Sequence, residues 1–244
     1  MDNQKEQLNS SKYELFILIS EISAALWVHI TVFEVTLRNL IHRLLTKISG
    51  SEFWWRTPNL LSKRDHLDIM RLEQKLLSDK ASVSSYKVME RISLSFWVEL
   101  CSSRYYEKIW KKLEVEIPTL LERRKDFYNK AREIRNLRNV IAHHGPILRR
   151  DLFRDHAYLH ELTALLDPEL ANEVKRKSRV LDLLLNARLV GSGGGIWTHD
   201  TAIMSRLLYQ AELPRQEFLA LLRAPHRNRT DDLFLTMETL YRLS

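Results

Sequence analysis

The longest periodic stretch of the sequence lies near its start and predicts one long helix from about Lys12 to Ile48. Apolar residues recur there at steps of three and four, which places them on one face of an α-helix: Leu15, Leu18, Ile19, Ile22, Leu26, Ile30, Phe33, Leu37, Ile41 and Leu44. The same stretch contains Glu21, His29 and Glu34, whose polar groups would be costly inside a bilayer. We therefore predict a buried amphipathic helix and no membrane span.

Further stretches with helical periodicity follow, and no convincing alternation typical of a β-strand occurs before residue 190. Only six glycines and six prolines are present, which disfavours a turn-rich β fold. The predicted class is all-α, a multi-helix bundle. Its further helices are expected at Ser62–Leu77, Met89–Leu100, Pro118 to about Gly145, Leu148–Leu166 and Pro168–Leu189, with a short helix or turn at Tyr105–Leu113 and a loop at Ser78–Tyr86.

The cysteine content and the net charge indicate the cellular compartment of the protein and the kind of partner it binds. The single cysteine, Cys101, excludes an internal disulfide and any cysteine-based zinc site, and it indicates a reducing compartment. No signal-peptide pattern follows Met1, so we expect a cytoplasmic protein. The net charge of +7 favours a polyanionic partner such as nucleic acid, and a generally basic surface explains the charge equally well.

The composition changes after residue 190, so we divide the chain into a helical domain, 1–190, and a tail, 191–244. The tail begins with the flexible linker sequence Gly191–Gly195, and its six arginines balance six acidic residues. Thr198-x-Asp200 returns 32 residues later as Thr230-x-Asp232. This is either a protein repeat or, as we favour, a translation of antisense transfer-RNA genes, which the tail resembles. We expect a poorly ordered tail outside the core, without function.

The greatest density of proton-transfer and anion-binding groups lies in Arg135–Ile147, which reads Arg-Asn-Leu-Arg-Asn-Val-Ile-Ala-His-His-Gly-Pro-Ile. Cleaving RNA without a metal needs a base for the 2′-hydroxyl proton, an acid for the leaving oxygen and a cation for the phosphorane charge. Histidine suits the first two roles, and the planar fork of arginine suits the third. Arg138 and His143 are spaced Arg-x4-His, and Asn139 shares a helix face with His143. Gly145-Pro146 predicts the helix end, with both histidines in the last turn.

Three blocks of the sequence resemble the Abi-like (abortive infection) branch of the HEPN superfamily. Leu137–Ile147 is similar to its Arg-Asn-x-x-x-His motif, Phe33–Asn39 (Phe-Glu-Val-Thr-Leu-Arg-Asn) to a block of the first helix, and Ser95–Trp110 to a block in the middle. The resemblance covers about residues 10 to 185. It implies a helical bundle that dimerises and combines two Arg-x4-His motifs into one ribonuclease site.

Such proteins act in phage defence or as toxins of toxin–antitoxin pairs, so the resemblance implies an RNA substrate, a homodimer and an RNA or protein antitoxin as partners. It assigns Arg138 and His143 as the catalytic pair and Asn139 as the orienting polar group. The implied reaction needs no metal or other cofactor and leaves a 2′,3′-cyclic phosphate and a 5′-hydroxyl. The alternative is a non-catalytic RNA-binding or protein-interaction module with the same bundle.

Four further residues are candidates for supporting roles. His144 is interpreted as a neighbour or substrate contact, and Arg135 as either part of a phosphate-binding surface or an ordinary solvated charge. Glu34 and Arg38 lie one turn apart in the first helix, which favours a structural ion pair over a supporting role at the site.

Other conspicuous residues have simpler interpretations. Arg38–His42 imitates the motif with one residue fewer, which we treat as coincidence. His156 and His160 are spaced like a metal-binding pair, yet no cysteine or paired carboxylate completes a site, so no metal is expected. The tryptophans could stack RNA bases, but their spacing favours a role in the core or at a dimer interface: Trp54, Trp55, Trp97 and Trp110.

Overall fold

The structure is a computed structural model that describes residues 2–78, 84–113 and 117–191. This part of the chain contains nine α-helices, four short 3-10 helices and no β-strand, so the predicted all-α class is confirmed. The predicted tail after the linker lies outside the described residues. The helices are α1 (Asp2–Ser49), α2 (Lys63–Ser78), α3 (Ser85–Arg91), α4 (Leu94–Leu100), α5 (Pro118–Glu122), α6 (Arg124–Ala142), α7 (Leu152–Leu166), α8 (Pro168–Lys177) and α9 (Val180–Gly191), and the 3-10 helices are Trp54–Arg56, Ser103–Tyr105, Trp110–Leu113 and Ile147–Arg149.

Several helix boundaries differ from those predicted. α1 begins at Asp2, well before Lys12, because the polar residues upstream include no glycine or proline to stop a helix. The predicted helix over Met89–Leu100 is interrupted by an extended residue, Ser93, and the one over Pro168–Leu189 is interrupted at Ser178. Both interruptions are serines, whose hydroxyls compete for backbone hydrogen bonds, and apolar periodicity alone does not reveal them.

The apolar face of α1 forms the centre of the bundle, packed against α4, α6, α7 and α9. Ile22, Leu26, Phe33 and Leu37 are fully buried along it, as the periodicity predicts. By length and composition the segment Tyr13–Ser49 is also apolar enough to cross a membrane, a test that the core helix of a soluble protein passes too. One face of this segment is buried in the bundle, whereas Tyr13, Phe16, Ile17 and Val28 are exposed.

The tryptophans lie inside the core, which confirms the structural interpretation and leaves none of these four indoles free to stack a base. Each is less than 2 % exposed: Trp54, Trp55, Trp97 and Trp110. The Trp54 ring centroid lies 5.2 Å from that of Trp55 and 6.1 Å from that of Trp97. The Trp54 indole N–H also donates to Nδ1 of His42 at 3.0 Å. His42 is thereby engaged in the core, which supports treating the Arg38–His42 sequence as coincidence.

A buried ion pair fixes the segment that follows α6. Nε and Nη2 of Arg150 donate to the two carboxylate oxygens of Asp155 at 2.6 and 3.1 Å, and Asp155 is fully buried. Nη2 of Arg150 also donates to the backbone carbonyl and the carboxylate of Glu133, both at 3.2 Å. Since Glu133 belongs to α6 and Asp155 to α7, Arg150 holds the connection between these helices, which carries the motif histidines.

Buried histidines join α1, α7 and the α8–α9 junction. Nε2 of His29 lies 2.8 Å from the Ser178 hydroxyl, and Nε2 of His156 lies 3.4 Å from the same oxygen. The rings of His29 and His156 meet edge to face, with centroids 4.8 Å apart. Burial, and then the neighbouring His156 and His160, lower the pKa of His29 to about 4. The cluster is therefore neutral at pH 7 and is part of the packed core.

This cluster predicts acid sensitivity of the fold. The unfolded chain binds protons at His29 near its ordinary pKa of 6.5, whereas the folded chain binds them only near 4. The free energy of unfolding should therefore fall as the pH drops from about 6.5 towards 4, by about 2 kcal/mol after allowance for solvent screening. Urea unfolding at pH 7 and pH 4.5 measures this. The His29→Gln variant should lose less stability over that interval, and a loss equal to that of the wild type would contradict the assignment.

Candidate functional site

The motif helix α6 ends at Ala142, earlier than predicted, so the two histidines follow the helix instead of forming its last turn. The N–H of His144 donates to the carbonyl of Ile141 at 3.0 Å, and that of Gly145 donates to the carbonyl of Val140 at 2.7 Å. These two bonds define a Schellman motif, in which His143 caps the helix and His144 adopts a left-handed conformation with φ 52°. The helix is therefore terminated at His144, and not by the Gly145-Pro146 pair that follows it.

The Schellman motif also brings Gly145 close to the last turn of α6. A Cβ atom at Gly145 would lie 3.1 Å from Cγ1 and 3.2 Å from the carbonyl oxygen of Val140. Both motif histidines are exposed. The backbone N–H of His143 still donates to the carbonyl of Asn139 at 3.1 Å. This bond fixes the His143 backbone relative to Asn139 and leaves the imidazole in solvent.

Arg138, one residue before Asn139, is half-buried between α6 and α1. Its guanidinium carbon lies 5.7 Å from the centroid of the Trp27 ring, which is half-buried on α1. Its Nε atom is buried and has no hydrogen-bond partner. Within the described part of the chain, Arg138 forms no contact ion pair with a carboxylate. Arg150, which is also half-buried, has two carboxylate partners.

A carboxyl group from α1 lies next to Arg138. Glu34 is half-buried, and the backbone N–H of Leu94 at the start of α4 acts weakly to lower its pKa. Burial raises the pKa of Glu34, while Arg138 and, more weakly, Arg38 act against that rise. The negative charge also suits the N-terminus of α4, where backbone N–H groups are unpaired. Glu34 is therefore shared by α1, α4 and α6.

This arrangement corrects one prediction. No contact ion pair joins Glu34 to Arg38 among the described residues, although the two lie one helical turn apart. The Arg38 guanidinium acts on Glu34 only as a nearby charge, and its Nε is buried and unpartnered like that of Arg138. The structure thus brings Glu34, Arg38 and Arg138 together without a contact ion pair between Glu34 and Arg38 of α1.

Arg135 lies apart from this group. Its Nη2 donates to the side chain of Asn136 at 3.2 Å. Burial raises the pKa of the Tyr128 hydroxyl, and the charge of Arg135 acts against that rise. In the described part of the chain no hydrogen bond or ion pair joins it to Arg138 or His143. The neighbouring carboxylate of Glu133 binds Arg150.

The remaining histidine pair provides no metal site. Among residues 2–78, 84–113 and 117–191 there is no group of three or more histidine, cysteine or carboxylate side chains placed to hold a metal ion. His156 instead contacts His29 and Ser178.

Two participants in the site were missed at the sequence level. Trp27 was counted among neither the core tryptophans nor the site residues, and Leu94 contributes through its backbone N–H alone. A signal for Trp27 exists, since it lies seven residues before Glu34 and so on the same face of α1. No sequence pattern reports that a backbone N–H will meet a carboxyl group from another helix.

Comparisons with known proteins provide no assignment. No family model matches the chain, and neither a curated protein nor a solved structure matches it significantly. The resemblance to Abi-like HEPN proteins stays a prediction, based on three sequence blocks.

The left-handed residue yields a stability prediction. A side chain at φ 52° costs about 1 kcal/mol relative to glycine, so His144→Gly should raise the free energy of unfolding by about 0.5–1 kcal/mol. Urea denaturation measures the change. His144→Ala is the matched control, since it removes the imidazole and keeps the Cβ atom, and it should leave stability nearly unchanged. A glycine variant less stable than the wild type would show that the imidazole itself supports the turn.

Proposed function

We propose that this protein is a metal-independent endoribonuclease whose site contains Arg138, Asn139 and His143. The observation that carries the proposal is a half-buried guanidinium without a carboxylate contact, Arg138, five residues before an exposed histidine at the end of the same helix. Buried polar groups in folded proteins are normally paired. An unpaired guanidinium five residues before an exposed imidazole therefore suits an anionic substrate that undergoes proton transfer.

Each side chain has a distinct role in this proposal. The imidazole of His143 exchanges a proton with the 2′-hydroxyl or the leaving oxygen, and Arg138 stabilises the charge that develops on the phosphorane. Asn139 orients the substrate from the next position of α6. His144 and Arg135 are left as substrate contacts at most, because neither belongs to the Arg-x4-His spacing of Arg138 and His143.

One chain provides one such histidine–arginine pair, whereas the cleavage needs both a base and an acid. We therefore include a homodimer in the proposal, with the Arg-x4-His segments of two copies forming one site. The family resemblance supports this arrangement and also a role in phage defence or a toxin–antitoxin pair, in the cytoplasm, with an RNA or protein antitoxin. The exposed position of His143 at a helix end is compatible with a second copy approaching it.

A cleavage assay with matched variants tests the proposal. The purified protein should cut single-stranded RNA in EDTA, and His143→Ala should lower the rate by at least about a hundredfold, because general acid–base catalysis contributes about that much. Arg138→Ala should cause a comparable loss. Arg132→Ala, which removes an exposed arginine on another side of α6, should retain activity. Circular dichroism of each variant verifies the helical fold.

The second candidate is a non-catalytic RNA-binding module, favoured by the net charge of +7. It predicts salt-dependent RNA binding without cleavage. Undiminished cleavage by His143→Ala would remove the proposed site, and binding without any cleavage by the wild type would favour this alternative.

A further inference from the structure

Among the half-buried arginines of the described chain, Arg38 and Arg138 differ from the others. Arg150 is paired with Asp155, Arg124 donates to the carbonyl of Cys101 at 2.9 Å, and the remaining one, Arg135, donates to its neighbouring asparagine. Arg38 and Arg138 form no hydrogen bond or contact ion pair with the described residues, and in both the Nε is buried without a partner. Two incompletely satisfied guanidiniums on separate helices are unusual in a folded protein.

The two arginines also share a neighbourhood. Both act electrostatically on Glu34, Arg38 from the next turn of α1 and Arg138 from α6. Two fixed positive charges surround a single carboxyl group, whose burial itself favours the neutral form. The cluster therefore carries a net positive charge, and nothing described within the chain neutralises it. An anion with several acceptor oxygens would do so.

We propose that Arg38 is a second anion-binding residue of the site and that, together with Arg138, it binds one phosphodiester of a nucleic acid. The guanidinium fork binds two oxygens of such a group at once, so two forks on different helices can hold one phosphate and fix its orientation. The inference rests on the proposed function only for the kind of anion. It extends the site from α6 onto α1, where the motif itself has no residue.

Binding of a strand that cannot be cleaved tests Arg38 separately from catalysis. The probe is a fluorescent single-stranded DNA oligonucleotide, which lacks the 2′-hydroxyl, and its dissociation constant is measured by anisotropy at several salt concentrations. Arg38→Gln should weaken binding about tenfold and reduce the salt slope by about one, as expected for the loss of one phosphate contact. Arg43→Gln is the matched control, because it removes an exposed arginine of the same helix, and it should change binding less than twofold.

Two further measurements make the result specific. Arg38→Gln and Arg138→Gln combined should weaken binding by less than the product of their separate effects, because residues that hold one group are coupled. Inorganic phosphate should compete with the oligonucleotide for the wild type and less well for Arg38→Gln. Thermal unfolding of each variant, with a midpoint close to that of the wild type, shows that the fold is retained.

The proposal is overturned if Arg38→Gln binds like the wild type, if Arg43→Gln weakens binding equally, or if the wild type binds neither probe. These outcomes are distinct from a failure of the proposed nuclease. Arg38-dependent binding of DNA with no cleavage of RNA would support this inference and contradict catalysis. If the wild type cleaves RNA and Arg38→Gln binds DNA as tightly as the wild type, the result would support catalysis and contradict this inference.

Discussion

The half-buried carboxyl group of Glu34 is the feature on which the candidate site depends. It comes from the central helix α1, and Arg138 of α6 and, more weakly, the backbone N–H of Leu94 at the start of α4 act to lower its pKa. Burying a carboxyl group is costly unless hydrogen bonds and opposite charges compensate for it. Here the charge of Arg138 on α6 and the backbone of Leu94 at the start of α4 offset part of that cost, so Glu34 is coupled electrostatically to both helices. Arg138 lies half-buried at this junction, and its Nε is buried without a hydrogen-bond partner.

The rest of the site combines fixed and accessible parts. Arg150 ties α6 to α7 through Glu133 and Asp155, which restrains the connection that follows the motif helix. Within that connection, His144 takes a left-handed conformation that glycine would adopt at lower cost. Strain of this kind is often retained at functional positions. His143 is consequently presented at the surface on a restrained backbone, while Arg138 lies partly inside.

Much of the fold follows from the spacing of apolar residues. The periodicity along α1 predicts its buried face residue by residue, and the core positions of the four tryptophans follow from similar patterns. Helix ends were less predictable, because Ser93, Ser178 and His144 stop helices through local backbone conformations that apolar spacing does not encode. At the site, the motif residues were identifiable from their chemistry. Whether Glu34 pairs with Arg38 of its own helix or lies near α4 and α6 depends on how three separate helices pack.

The central claim is that the protein cleaves RNA by attack of the 2′-hydroxyl on its own phosphodiester, without a metal. It is tested most directly by comparing an RNA oligonucleotide in EDTA with a chain of the same sequence that carries a 2′-O-methyl group on every ribose, and by identifying the new ends by mass spectrometry. Cleavage of the unmodified strand alone, with a 2′,3′-cyclic phosphate and a 5′-hydroxyl at the cut, is the predicted result. Cleavage of the methylated strand, or a 5′-phosphate at the cut, would contradict it.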